Sequence, residues 1–302
     1  LNLPPRWQWK LDRLREQIAG LFRGEREEGR PKLCPACGTL VGSTAKKCHE
    51  CGTSLTFSLA AASRAIGGIL PEGTQVTYLI LAANGTLFLM SLVLTMQVAE
   101  NFSFMGGIDG QVLVRLGAKF TPLIARGEVW RLVVPIFLHG GIFHIFMNSM
   151  VLMDLGPQLE EVYGSARFFF LYILTGVASF IVSALWSPMS ISIGASGSLT
   201  GLIGLMLAIT TRRGSNIVMQ MYRKQLIKWI VYIGIFGLLL PGIDNAAHLG
   251  GLVAGFLLGK VFEDREPANK DERARAYVLG WLTVAVVLSS FAAMLLRYFR
   301  VT

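Results

Sequence analysis

A serine framed by glycine, Gly194-Ala195-Ser196-Gly197, is the first group in this sequence with the setting of a nucleophile. An uncharged, Ser-rich stretch leads into it, and the apolar run that follows predicts a helix starting at Ser196. First-turn N–H groups of a helix have no helical partner. The positive end of the dipole favours a developing oxyanion there. Glycine on both sides lets a substrate backbone come close. The same Gly and Ser pattern also marks simple helix packing, so Ser196 needs a base.

That base is found in Asn245-Ala246-Ala247-His248-Leu249-Gly250-Gly251. Gly251, Gly255 and Gly259 follow His248 at offsets of 3, 7 and 11 and share one helix face with it. A glycine stripe permits close helix approach. The serine helix carries small residues of its own, Gly197, Gly201, Gly204 and Ala208. The two helices are therefore expected to pack backbone to backbone and bring His248 to Ser196. A neutral imidazole there could take the serine proton and return it to a leaving amine. Alternatively, the glycines only pack and His248 is an interhelix hydrogen-bond donor.

His139-Gly-Gly-Ile-Phe-His144-Ile-Phe-Met-Asn148 supplies a third element. His144 and Asn148 are four residues apart, so they project from one helix face. An N–H from each, with the Ser196 amide, would make an oxyanion hole. His139 precedes the helix and is expected to brace the loop before it.

All four cysteines lie near the N-terminus, in Cys34-Pro-Ala-Cys37-Gly and Cys48-His-Glu-Cys51-Gly. Two CxxC knuckles, each followed by glycine, suit a structural Zn2+ held by Cys34, Cys37, Cys48 and Cys51. Disulfides or redox chemistry are the alternatives. A reducing cytoplasm argues against the first, and the missing βαβ pattern argues against the second. Four thiolates close the site, so His49 is not expected to be a ligand.

Positioning these groups falls to long apolar elements. Apolar residues make up 53% of the chain and charged residues 16%, against about a quarter charged in soluble proteins. Mean hydropathy is +0.53, which excludes disorder. No charge occurs between Arg167 and Arg212. Uncharged runs of this length predict membrane spans, at 76–98, 143–162, 168–186, 196–211, 226–240, 246–261 and 276–296. Several are short and contain Gly, Ser, Asn and His, so a bundle with a polar interior is expected.

Of the 28 Lys and Arg residues, 22 fall in 1–72, at Arg167, in 212–228 and in 260–275. The other six lie in 115–131 and at Arg297 and Arg300. The positive-inside rule then predicts a cytoplasmic N-terminus and an extracytoplasmic C-terminus. The net charge of +9 becomes a topology signal, and nucleic acid is not an expected partner. Leu1 to Lys10 has no apolar core, so no cleavable signal peptide is expected there.

Five segments follow. Residues 1–23 form an amphipathic helix, with Trp7, Leu11, Leu14, Ile18, Leu21 and Phe22 on one side, for the membrane surface or a partner. Residues 33–55 form the zinc ribbon, which offers a surface for a protein partner, and 56–75 a linker. Residues 76–262 form the transmembrane core, and 263–302 a cytoplasmic loop with the seventh span.

In combination these motifs resemble the rhomboid intramembrane serine proteases. The matching pieces are Glu128, Trp130 and Arg131, then His139, His144 and Asn148, then Gly156, Glu160 and Tyr163-Gly164. Gly194 to Gly197 and the Ala247 to Gly259 stripe follow in order, so the match covers 76–262. The resemblance implies an all-α polytopic fold with a six-helix core and a catalytic dyad of Ser196 and His248. It also implies oxyanion donors at His144, Asn148 and the Ser196 amide, and no cofactor for catalysis. The 101–142 loop resembles the family's membrane-embedded loop, held by Trp130 and Arg131. The seventh span resembles the six-plus-one branch. Thr200 stands where many rhomboids carry an aromatic beneath the catalytic histidine; its hydroxyl could orient the ring instead.

The expected function is cleavage of transmembrane substrate proteins, in a bilayer of the bacterial inner (cytoplasmic) membrane type. By resemblance, substrates have small or helix-destabilising residues near the cut and enter beside 226–240. The competing reading is a non-enzymatic membrane adaptor that binds transmembrane partners and recruits others through its ribbon. A transporter is not expected, because no acidic residue lies at mid-span to couple an ion.

Overall fold

The computed structural model describes residues 32–34, 39–42, 45–50, 73–98, 107–213, 217–239 and 242–301. The chain divides into two units, Leu1–Ile69 and Leu70–Thr302.

In the first unit, β1 (Lys32–Leu33) pairs antiparallel with β2 (Leu40–Val41), and Lys32 faces Val41. The Cys34 N–H donates to the Thr39 carbonyl at 2.7 Å. Cys34, Val41 and Cys48 are buried together in one small core. Cys37, Cys51 and the amphipathic stretch 1–23 lie outside the described residues.

The second unit is helical. Its long helices are α1 (Gln75–Val98), α4 (Ile142–Tyr163), α5 (Ser165–Trp186), α6 (Ser196–Arg212), α7 (Ile217–Leu239), α8 (Asn245–Val261) and α9 (Lys270–Val301). Two short helices, α2 (Gly110–Arg115) and α3 (Thr121–Ile124), precede α4, with 3-10 turns at Val129–Leu132 and Val134–Phe137. Each expected span coincides with a long helix. Two run well beyond it: α7 starts at Ile217 rather than 226, and α9 covers 270–301 rather than 276–296. Charged residues such as Arg223, Lys224 and Arg273 continue these helices past the apolar stretch, so charge ends a span without ending a helix.

Gln75–Val98, Ser165–Trp186 and Lys270–Phe299 are long and apolar enough to cross a membrane. The helix α1 buries polar residues beside Ile80, Phe88 and Leu92 and exposes large apolar ones. Thr77, Asn84, Ser91 and Thr95 face inward, while Leu79, Leu89, Val93 and Met96 are exposed. The inner hydroxyls are satisfied locally: Ser91 donates to the Leu87 carbonyl at 2.7 Å and Thr95 to the Ser91 carbonyl at 2.8 Å. Large apolar side chains outside and locally bonded hydroxyls inside suit a hydrocarbon solvent.

Glu160, fully buried near the end of α4, joins three helices. Its carboxylate accepts from the Val76 and Thr77 N–H groups at 2.9 and 2.8 Å, from Thr77 Oγ1 at 2.8 Å and from Ser165 Oγ at 2.6 Å. It thereby satisfies otherwise unpaired donors at the start of α1.

The central helix is α6, buried along most of its length between α5 and α8. A Cβ on Gly201 would strike Thr175 of α5, and one on Gly204 would strike the Leu252 carbonyl of α8. By contrast α7 buries only Leu226.

Residues 107–141 form an ordered loop domain. Arg131 is 3% exposed, and its Nη1 donates to the Val114 and Ala118 carbonyls at 2.8 and 2.9 Å. Its Nε donates to Glu128 at 2.6 Å. Trp130 is buried, with the Arg131 guanidinium 4.6 Å from its ring centroid. From α9, Met294 joins the loop's core, Phe291 packs on Phe137, and Arg297 donates to Glu128 at 3.0 Å.

Candidate active site

Ser196 is the first residue of α6. The chain reaches it through Gly194, whose φ of +116° is strained for any residue with a Cβ. The Gly194 N–H donates to the Pro135 carbonyl at 2.8 Å, fixing this turn to the 107–141 loop.

His248 lies on the first turn of α8, and its Nε2 is 2.8 Å from Ser196 Oγ. The glycine stripe makes this approach sterically feasible. A Cβ on Gly251 would overlap the Gly197 carbonyl, and one on Gly255 the Gly201 carbonyl. The two backbones are therefore in direct contact just below the Ser–His pair.

One expectation about the imidazole's neighbours is corrected. Thr200 makes no hydrogen bond to the ring: its hydroxyl donates to the Gly197 carbonyl at 2.9 Å, and the ring's one side-chain bond is to Ser196. A short hydroxyl one turn into a helix reaches the backbone of its own preceding turn more readily than a neighbouring ring. Asp244 caps α8 by accepting from the Ala247 N–H at 2.9 Å, and it also accepts from Ser183. His248 Nδ1 has no hydrogen-bond partner among the described residues. The arrangement is thus a pair rather than a triad.

His144 and Asn148 lie on α4, opposite Gly194. The Gly140 N–H points to His144 Nδ1 at 3.4 Å. With Nδ1 as acceptor, the assigned tautomer carries its proton on Nε2. That nitrogen would be 2.6 Å from a Cβ on Gly194, and Asn148 Nδ2 would be 3.5 Å from it. Asn148 is 7% exposed, and its Nδ2 has no partner among the described residues. Two N–H donors therefore converge on the turn before Ser196. His139 is fully buried, and its ring meets His144 edge-on at 5.1 Å between centroids. Gly197, by contrast, is a packing residue: a Cβ there would strike Ser179 of α5.

Sequence reasoning missed Lys119, Ser183, Ser190 and Ser192, which bond within the segments leading to Ser196 and His248. In the sequence Lys119 reads only as one of the basic residues of 115–131. It is fully buried and bonded to the loop that leads to Ser196. No local signal separates a buried lysine from an exposed one in a polar loop.

Fold and site together define the class: an integral membrane protein, mostly helical, with a serine–histidine pair inside the bundle. Residues 126–265 match the Rhomboid domain. The chain is 38% identical over 151 residues to the rhomboid protease GluP of Bacillus subtilis, covering 50% of this chain and 29% of that protein. It is 32% identical over 214 residues to the mitochondrial RHOMBOID-like protein 6 of Arabidopsis thaliana, covering 64% and 68%. It is 30% identical over 194 residues to Rhomboid-like protease 3 of Toxoplasma gondii, covering 62% and 73%. The chain belongs to the rhomboid family. It spans less than a third of GluP's own length.

Proposed function

We propose that this chain is an intramembrane serine endopeptidase that cuts transmembrane substrate proteins. The observation that carries the reading is the 2.8 Å contact between Ser196 Oγ and His248 Nε2. Such a contact is what a nucleophile and its base require. The curated relatives named as proteases add support.

In this mechanism Ser196 Oγ attacks the scissile carbonyl carbon as its proton passes to His248 Nε2. The carbonyl oxygen becomes an oxyanion facing the Ser196 N–H, His144 Nε2–H and Asn148 Nδ2–H. Collapse of this intermediate breaks the C–N bond, and His248 hands its proton to the leaving amine. Water, deprotonated by the same imidazole, then releases the acyl group. The catalytic step uses no cofactor. His139 holds the ring of His144, and Trp130 and Arg131 hold the loop beneath it.

The seven long helices are taken as seven spans, with the N-terminus cytoplasmic and the C-terminus outside, in a membrane of the bacterial inner type. Substrate helices would approach past α7, which leaves most of its surface uncovered within the chain. In the N-terminal unit, Cys34, Cys37, Cys48 and Cys51 would hold a structural zinc ion. The shared burial of Cys34 and Cys48 fits a site built from both knuckles. The amphipathic stretch and the ribbon would then face lipid or a protein partner.

A non-enzymatic adaptor would have no need for the serine–histidine contact. The two readings separate on Ser196→Ala. A fluorophosphonate should label the wild type and not this variant, and the variant should leave a model transmembrane substrate uncut. Cleavage that survives Ser196→Ala would overturn the protease reading.

A further inference from the structure

We propose that Lys119 and Asp244 are positioning residues, a buried brace that sets the segment carrying Ser196 against the helix carrying His248. The proposal rests on the protease reading above.

Lysine is almost never fully buried unless its ammonium is satisfied. Lys119 is 0% exposed. Its Nζ donates to the Ser187 carbonyl at 2.8 Å, the Ser190 carbonyl at 3.1 Å and Ser190 Oγ at 3.2 Å. These contacts match the three donors of an ammonium. Its backbone also pairs both ways with Ser192: the Lys119 N–H donates at 2.9 Å and its carbonyl accepts at 3.1 Å. One residue therefore holds the 187–192 segment through five hydrogen bonds. Ser196 lies four residues further on.

Asp244 holds the other half. Its carboxylate caps α8 through the Ala247 N–H at 2.9 Å, and its carbonyl accepts the His248 N–H at 3.1 Å. Ser183 at the end of α5 donates to the same carboxylate. Lys119 grips the same end of α5 one turn further on, at the Ser187 carbonyl. The Ser196 segment and the His248 helix are thus both tied to the end of α5.

The physical need is clear from the helix packing. Glycine-lined helices meet on smooth surfaces, which fix their separation better than their register. A shift of about 1 Å along such a seam can cost about a hundredfold in rate. A bonded brace at the open end of the seam resists that shift.

The test uses the full chain in liposomes with Lys119→Met, Lys119→Arg, Asp244→Asn and the Lys119→Met/Asp244→Asn pair. Asparagine keeps the helix cap while removing the charge. The readouts are the rate of fluorophosphonate labelling at Ser196, kcat and KM on a transmembrane substrate, and the thermal midpoint. Lys119→Met and Asp244→Asn should each lower the labelling rate and kcat about tenfold, with KM within about twofold. Lys119→Arg should retain more rate than Lys119→Met. The double variant should be no slower than the slower single one, because both break the same brace.

Unchanged rates, additive losses, or losses that match the unfolded fraction would each overturn the proposal. Should Lys119→Met fail to fold, Asp244→Asn and Ser190→Ala decide it by the same rates. A wild type that neither labels nor cleaves rejects the protease reading. A wild type that does both, with unaffected variants, rejects only the brace.

Discussion

Gly251 of α8 sits directly on the carbonyl oxygen of Gly197 in α6, and no Cβ fits between them. This contact lies one turn beyond His248 and one residue beyond Ser196. It is the closest packing constraint on the distance between the two. Gly251→Ala should push the helices apart, costing about 1–3 kcal/mol by overpacking. The lost alignment should also cut kcat more than a fall in folded protein explains. Thermal unfolding measured beside initial rates separates the two effects.

His144 and Asn148 predict a different kinetic signature. Each would act on charge that develops only as the carbonyl is attacked. His144→Ala and Asn148→Ala should therefore each lower kcat about 10²- to 10³-fold with little change in KM. Both variants should keep His248 in place to activate Ser196. A rise in KM alone would place these residues in substrate binding instead.

Glu160 is a stability residue well away from Ser196. Its carboxylate accepts four hydrogen bonds in a fully buried site. Glu160→Ala should cost about 3 kcal/mol or more, since several bonds to one charged group are lost together. Ser165→Ala removes a single bond and should cost about 1 kcal/mol. Midpoints of unfolding in detergent compare the two.

The two arginines that meet at Glu128 should behave unequally. The Arg131 side chain is 4% exposed, whereas that of Arg297 is 48% exposed. Arg297→Ala should cost no more than about 1 kcal/mol, as exposed pairs do. Arg131→Ala leaves two loop carbonyls and a carboxylate short of donors, so about 3 kcal/mol or more is expected. Protease nicking of the 107–141 loop gives the readout.

Chelation probes the first unit. If four thiolates hold zinc, removing it should unfold residues 33–53 while the helical unit keeps its unfolding midpoint. Hydrogen exchange resolves the two regions. Loss of proteolysis on chelation would mean that the ribbon is coupled to the active site.

The sequence by itself determined where the apolar spans lie, because lipid and water impose different compositions over some twenty residues. It also pointed to Ser196 and His248. Helical spacing puts His248 on its glycine stripe, and glycine encodes close packing without any partner being known. The roles of Lys119, Asp244 and Thr200 were not legible. Lys119 contacts a segment about seventy residues away, and only tertiary structure decides whether a loop lysine is solvated or buried. Thr200 was read as a substitute for an aromatic, yet its hydroxyl reaches only the carbonyl three residues back. Composition and periodicity fix which face of a helix is apolar or small. How two such faces meet depends on partners far apart in sequence, and here the contact of Gly251 with Gly197 lies beside the 2.8 Å approach of Ser196 to His248.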